Sequence, residues 1–155
     1  MKWKRLCIAG NLRSGETMDR LAIYITQDSY DKFLCPLINA YLQSVEGTQV
    51  DIFFVSWAVR ALTEEGAEAI RVNGHHADQD QYVREQVAAA GLPADIMDFL
   101  KTLKETGSVG LYACDMAATI YGVTEENLID ISDGIVGASW FLNEKAAKAD
   151  HCQYF

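Results

Sequence analysis

No stretch of this 155-residue chain approaches the ~20 consecutive apolar residues that a membrane-crossing helix needs, so no bilayer span is expected. The opening "MKWKRLCIAGNLRSGETMDR" is basic but lacks the apolar core of a secretory signal, which points to a cytoplasmic protein. Positive charge is scarce. Thirteen Lys and Arg stand against 22 Asp and Glu, a net charge of -9. Such a surface repels phosphate backbones and anionic membranes, so no nucleic-acid partner is expected. The four cysteines, Cys7, Cys35, Cys114 and Cys152, show neither CxxC spacing nor a paired framework. In a reducing compartment each would be a free thiol.

Recognisable site motifs are equally sparse. GxSxG, GxGxxG and the phosphate loop are all missing, and "GNLRSGE" (10–16) resembles the last only in its two glycines and a serine. Of three histidines, His75 and His76 are adjacent in a polar stretch and His151 lies far away. That is too scattered for a zinc site, and the "DQDQ" run at 78–81 has too few well-spaced oxygens for a calcium loop. No metal and no cofactor are therefore expected.

What is present is one domain's worth of chain, half of it hydrophobic, with no repeat, low-complexity tract or linker. Residues 1–20 carry no clean period and read as an N-terminal extension. "LAIYIT" (21–26), "QVDIFFVS" (49–56), "SVGLYAC" (108–114) and "LIDIS" (128–132) read as buried strands, and the terminal "HCQYF" as a fifth.

Between the strands lie helical patterns. In "QDSYDKFLCPLINAYLQSV", apolar residues from Tyr30 to Val45 recur at helical spacing behind an N-cap at Asp28 or Ser29. Pro36 should kink that helix or move its start toward Cys35. "WAVRALTEEGAEAI", "YVREQVAAAGL", "ADIMDFLKTLKETG" and "DMAATIYG" supply four more, the last stopped by Gly122. "GIVGASWFLNEKAAKAD" (134–150) reads as a final helix with Ile135, Ser139, Leu142 and Ala146 along one side. "RVNGHHADQDQ" (71–81) reads as a surface loop.

Strands alternating with helices, and no hairpin signal, predict an α/β fold: a single domain whose mostly parallel five-stranded sheet carries helices on both faces, in the three-layer Rossmann-like manner. Sites in such sheets gather at the carboxyl ends of strands. Gln27, Asp28 and Ser29, then Ser56 and Trp57, then Cys114 and Asp115 are the candidates.

Cys114 admits two readings. Free cysteine is often a small core hydrophobe. Yet a thiol between a strand and a helix lies where backbone N–H groups favour an anion, although the adjacent Asp115 charge opposes a thiolate. Cys35 borders the first helix's apolar face and should pack. Trp140 and Phe141 are neighbours, so they cannot share one helix face, and one of them should meet a partner subunit.

The order of segments resembles the DsrE/DsrF-like family. The opening strand, a turn ending in "DK", a long helix and a strand running into "FFVSW" are similar to that family's start. So are the cysteine after the third strand, the glycine ending the next helix, and "DGIVG" near the final helix. The resemblance covers about residues 20–155. Departures from the family pattern fall at Asp115, Ala117, Ala118 and the 71–81 loop.

The resemblance implies a small α/β domain that forms homo-oligomers, trimers or hexamers. It further implies a sulfurtransferase or sulfur carrier that holds sulfane sulfur as a persulfide on Cys114. The acceptor would be a thiol on a small sulfur-carrier protein, and Cys114 should lie in an open shallow pocket to reach it. Two other readings accompany this one. One is a non-catalytic ligand-binding or assembly subunit, favoured by an inert, buried Cys114. The other is a redox sensor pairing Cys114 with a second cysteine such as Cys152.

Overall fold

The structure, a computed structural model, describes residues 18–155. Cys7 and most of the expected N-terminal extension lie outside the described residues. Five strands form one all-parallel sheet: β1 (Arg20–Ile25), β2 (Gln49–Phe54), β3 (Val109–Cys114), β4 (Ile135–Val136) and β5 (His151–Tyr154), ordered β4-β3-β2-β1-β5. The chain steps outward from β1 to β4, then crosses back to place β5 on the far side of β1. Apart from Asp51 in β2, the buried positions of the three central strands are apolar on both faces, as expected of parallel strands covered by helices.

One face carries Val50, Ile52 and Phe54 and is covered by α1 (Tyr30–Val45), whose Phe33 stacks on Phe54. Packed against α1 is α4 (Ile96–Glu105). Asp95 caps α4 by accepting the N–H groups of Met97 and Asp98, and Ile96, Phe99, Leu100 and Leu103 form its buried stripe. The shorter helices α2 (Glu64–Ala69) and α3 (Asp80–Ala89) complete this half. On the opposite face, α6 (Ala138–Glu144) lays Phe141 flat on Phe53, ring centres 4.3 Å apart, with Tyr24 and Tyr112 edge-on around it. Between β3 and β4 the chain forms α5 (Asp115–Tyr121), which stops where Gly122 turns left-handed at φ 75°.

Several expectations are corrected. "LIDIS" is not a strand: Leu128 bridges Thr63, and the Ile129 N–H donates to Leu62 O at 2.9 Å. The edge of β3 is served there by Asp133, whose carboxylate accepts the Leu111 N–H (2.7 Å) and whose own N–H donates to Leu111 O (2.8 Å). Sheet pairing resumes only beyond Gly134, so the fourth strand is the two-residue β4 inside the stretch read as helix. That helix shrinks to α6, and its buried residue is Phe141, while Leu142 is half-exposed.

Pro36 does not move the start of α1, which runs unbroken from Tyr30 with Pro36 buried inside it. Cys35 is exposed rather than packed. The 71–81 segment is not a plain loop: residues Gly74–Gln79 form a 3-10 turn leading directly into α3. The HCQYF strand is present, as β5 beside β1.

The turn from β2 into α2 allows one sharp prediction. Thr63 caps α2 by accepting the Gly66 N–H at 3.0 Å, and a Cβ on Gly66 would lie 1.9 Å from the carbonyl oxygen of Arg60. Gly66→Ala must push two backbone segments apart, so it should cost about 1–3 kcal/mol in chemical denaturation. A Gly66→Ala protein as stable as the parent would show that this turn yields freely.

Candidate functional site

The register of the central strands brings four of the sequence-predicted positions, Ser56, Trp57, Cys114 and Asp115, to one place. Phe54 pairs with Ala113, so Val55 and Cys114 lie level at the ends of β2 and β3. Beyond Val55, Ser56 takes φ 51°, a left-handed backbone that side chains other than glycine seldom adopt, and the chain leaves the sheet in a 3-10 helix (Ser56–Leu62). Trp57 stands half-exposed at its start, its ring centre 4.3 Å from that of Tyr121 on α5.

On the other side, Cys114 pairs with Val136 of β4. Its thiol lies 3.9 Å from Asp115 Oδ1. Asp115 turns back on its own helix start, accepting the Met116 N–H at 2.6 Å, and its other carboxylate oxygen faces Gly137 at the head of α6.

Two expectations change here. Cys114 is 7% exposed in this chain, so the thiol is nearly enclosed and does not sit in an open shallow pocket. The second N–H of α5, that of Met116, is one of those the sequence offers to a thiolate, and the Asp115 carboxylate already takes it.

The remaining candidates lie elsewhere. Gln27, Asp28 and Ser29 follow β1, two strand spacings or about 10 Å of sheet from β3. Ser29 is buried and fully engaged: its hydroxyl donates to Asp31 and accepts the Asn73 N–H at 3.2 Å, while its carbonyl accepts from Lys32 and Phe33. Asp28 lines a small cavity with Arg60, Gly66, Ala69 and Ile70. His75 and His76 lie exposed in the turn that Ser29 and Tyr30 tie down through Asn73 and Arg71. Among the described residues, no three His, Cys, Asp or Glu side chains gather as a metal site.

A Cys114–Cys152 disulfide within one chain is excluded by topology. β3 and β5 are separated by two strands, about 14 Å of sheet, against the 4.4–6.8 Å between Cα atoms that a disulfide spans.

Sequence reading missed a buried polar cluster on the α6 side of the sheet. Lys145 Nζ sits 3.0 Å from Asp51 Oδ1 and 4.9 Å above the Tyr112 ring centre. Burial penalises the lysine's charge, yet hydrogen bonds with Tyr112 and Asp51 outweigh it and hold its pKa above the ordinary value. Burial likewise raises the Tyr112 phenol. Gly110 makes room for all three, since a Cβ there would lie within 3 Å of both Tyr112 and Asp51. An aspartate inside an apolar strand was the available signal.

An open groove of about 640 Å³ also runs between α2, α4 and residues 126–131, but none of the predicted site residues lines it. Among the described residues no helix is long and apolar enough to cross a membrane.

The DsrE/DsrF-like family matches this chain over residues 19–152. The crystal structure of the ychN protein from E. coli superposes with a TM-score of 0.62 at 18% identity, covering 89% of this chain and all of that one. A protein of unknown function from Methanobacterium thermoautotrophicum, MTH1491, superposes at 0.53 with 12% identity, covering 87% and 98% of the two chains. Identities this low establish the shared fold alone. No curated protein gives a significant match.

Proposed function

From the premise that this chain belongs to the DsrE/DsrF-like family, we propose that it carries sulfane sulfur as a persulfide on Cys114 and passes it to an acceptor thiol. The observation that carries this reading is the position of Cys114: a free cysteine at the carboxyl end of a central strand, where parallel α/β sheets place their chemistry.

The step is a thiol–disulfide exchange in form. The Cys114 thiol gives its proton to solvent, and the thiolate attacks the outer sulfur of a donor R–S–SH. The bond between the donor's two sulfurs breaks, R–S⁻ departs with the electron pair, and Cys114–S–SH remains. An acceptor thiolate then takes that outer sulfur by the same exchange and restores Cys114. No oxidant is consumed. The small carrier protein expected as acceptor, and a cytoplasmic setting, belong to this reading.

Homo-oligomerisation belongs to it as well. Met116 and Ile120 stand one turn apart on α5 at 66% and 65% exposure, and half-exposed Trp57 packs on Tyr121 of the same helix; burial of these apolar side chains against a second copy would be favourable. With a thiol only 7% exposed, such an assembly must leave an opening at Cys114 for sulfur to enter.

The same burial favours a second reading, a ligand-binding or assembly subunit with an inert thiol. Mass spectrometry after incubation with an organic persulfide or polysulfide separates the two. The expected result is one added sulfur on the Cys114 peptide, removed by a free thiol and missing from Cys114→Ser. An unmodified Cys114, or equal labelling of Cys35, would transfer the case to the binding subunit.

A further inference from the structure

We propose that Asp115 is a specificity-determining residue that sorts sulfur donors by charge, so that Cys114 accepts sulfur from uncharged or cationic carriers and turns away strongly anionic ones such as thiosulfate. This rests on the persulfide reading above and adds the class of donor to it.

Three observations lead there. First, the Asp115 carboxylate lies 3.9 Å from the Cys114 sulfur, so a donor that reaches the sulfur enters the field of that charge. Second, one of the backbone donors at the start of α5 that could hold an incoming anion, the Met116 N–H, is taken by Asp115 Oδ1 at 2.6 Å.

Third, among the described residues no cation is paired with Asp115 to offset the charge. From Glu105 to Glu144 the sequence has seven carboxylates and no Lys, Arg or His, and this stretch supplies β3, α5, β4 and α6, the elements around Cys114. The lysines bounding it are both engaged: Lys104 pairs with Asp133 at 2.7 Å and Lys145 with Asp51 at 3.0 Å. Arg60, the one cation of the 3-10 helix Ser56–Leu62, lines the separate small cavity with Asp28. A site built to receive a dianion would present a guanidinium or free N–H groups to it. This one presents a carboxylate.

The charge acts on approach and leaves the chemistry of transfer unchanged. For thiosulfate, the thiolate would attack the outer sulfur and sulfite would leave with the electron pair, giving Cys114–S–S⁻. That path brings two negative charges within the field of the Asp115 carboxylate. A neutral R–S–SH brings none, and its carrier leaves as a monoanion.

The test compares two near-isosteric alkylating agents, neutral iodoacetamide and anionic iodoacetate, on the folded full-length protein. Peptide mass spectrometry reads Cys114 and the exposed Cys35 separately, so Cys35 calibrates the intrinsic preference of a thiol for the neutral reagent. The preference at Cys114 should exceed that at Cys35 by about tenfold, and Asp115→Asn should bring the two within about twofold. In the unaltered protein, raising ionic strength from 0.01 M to 1 M shortens the screening length from about 30 Å to about 3 Å and should narrow the difference, a check that needs no variant. Thiosulfate loading of Cys114 should rise about tenfold in Asp115→Asn.

Equal preferences at Cys114 and Cys35, an unchanged ratio in Asp115→Asn, or a Cys114 that neither reagent reaches in either protein would each overturn the proposal. If the charge preference holds but no donor of any charge loads sulfur, the carrier reading falls while the charge selection stands. If sulfur loads equally fast from thiosulfate with and without Asp115, the selection falls and the carrier reading stands.

Discussion

Lys145→Met should be among the most destabilising single substitutions in this protein, lowering stability by about 3–5 kcal/mol. Among the described residues Lys145 is the one cation bonded to Asp51, whose side chain is 5% exposed in the middle of the sheet. Removing the ammonium leaves the buried Asp51 carboxylate without the one ion-pair partner it has among the described residues. Methionine fills most of the vacated volume, so the loss reports charge rather than a cavity. For a chain of this length that corresponds to a fall in melting temperature of roughly 10 °C.

The double variant Asp51→Val/Lys145→Met should recover much of the loss, because two apolar side chains carry no unpaired charge. A single variant within about 1 kcal/mol of the parent would show that Asp51 finds solvent some other way.

The same cluster fixes an alkaline limit. Lys145 and Tyr112 both have folded-state pKa values above their ordinary ones, and Tyr24 is pushed up to about 12, first by burial and then by Tyr154 and Cys152. A raised pKa means that the folded state holds its proton more tightly than the unfolded chain. The contribution is therefore complete below the unfolded values near pH 10 and is lost as pH climbs through the folded ones. Denaturation midpoints should decline from about pH 10 upward, and this decline should be shallower in the double variant.

Phe141→Ala is expected to cost about 3–5 kcal/mol as well. Phe141 is the residue by which α6 enters the core: fully buried, stacked on Phe53, and ringed by Tyr24 and Tyr112. Its loss opens a cavity against strands too rigidly paired to collapse into it. Its neighbour Trp140 is 42% exposed and touches only the edge of this cluster through Tyr112, so Trp140→Ala should cost much less.

The comparison is internal, and a Trp140→Ala loss equal to or above that of Phe141→Ala would contradict this account of α6. Because Gly137 at the head of α6 abuts Asp115, Phe141→Ala should also speed alkylation of Cys114 in the folded protein. Phe141 and Lys145 both contact Tyr112, so their losses should not add.

What the sequence determined on its own was whatever a short window of residues decides. Apolar runs such as LAIYI and VGLYAC have no plausible home but a strand buried on both faces, and their alternation with helical periods leaves a parallel sheet as the solution. The helix stop at Gly122 and the placement of Cys114 at a strand-to-helix junction follow from the same local rules. The parts that failed are those where a distant residue outbids local preference. "LIDIS" has the composition of a strand, but Asp133 takes the β3 edge and Leu62 and Thr63 take its backbone, so pairing waits for Ile135.

Only the tertiary structure decided the strand order, and with it which candidates can meet. By returning to the outside of β1, β5 keeps Cys152 about 14 Å from β3, and β2 keeps Gln27–Ser29 apart from Cys114 while bringing Ser56 and Trp57 beside it. The pairing of Asp51 with Lys145, 94 residues away, and the turn of Asp115 back onto its own N–H are likewise products of packing. A one-dimensional pattern records which residues are apolar and at what period. It does not record which charges end up alone together once water has left.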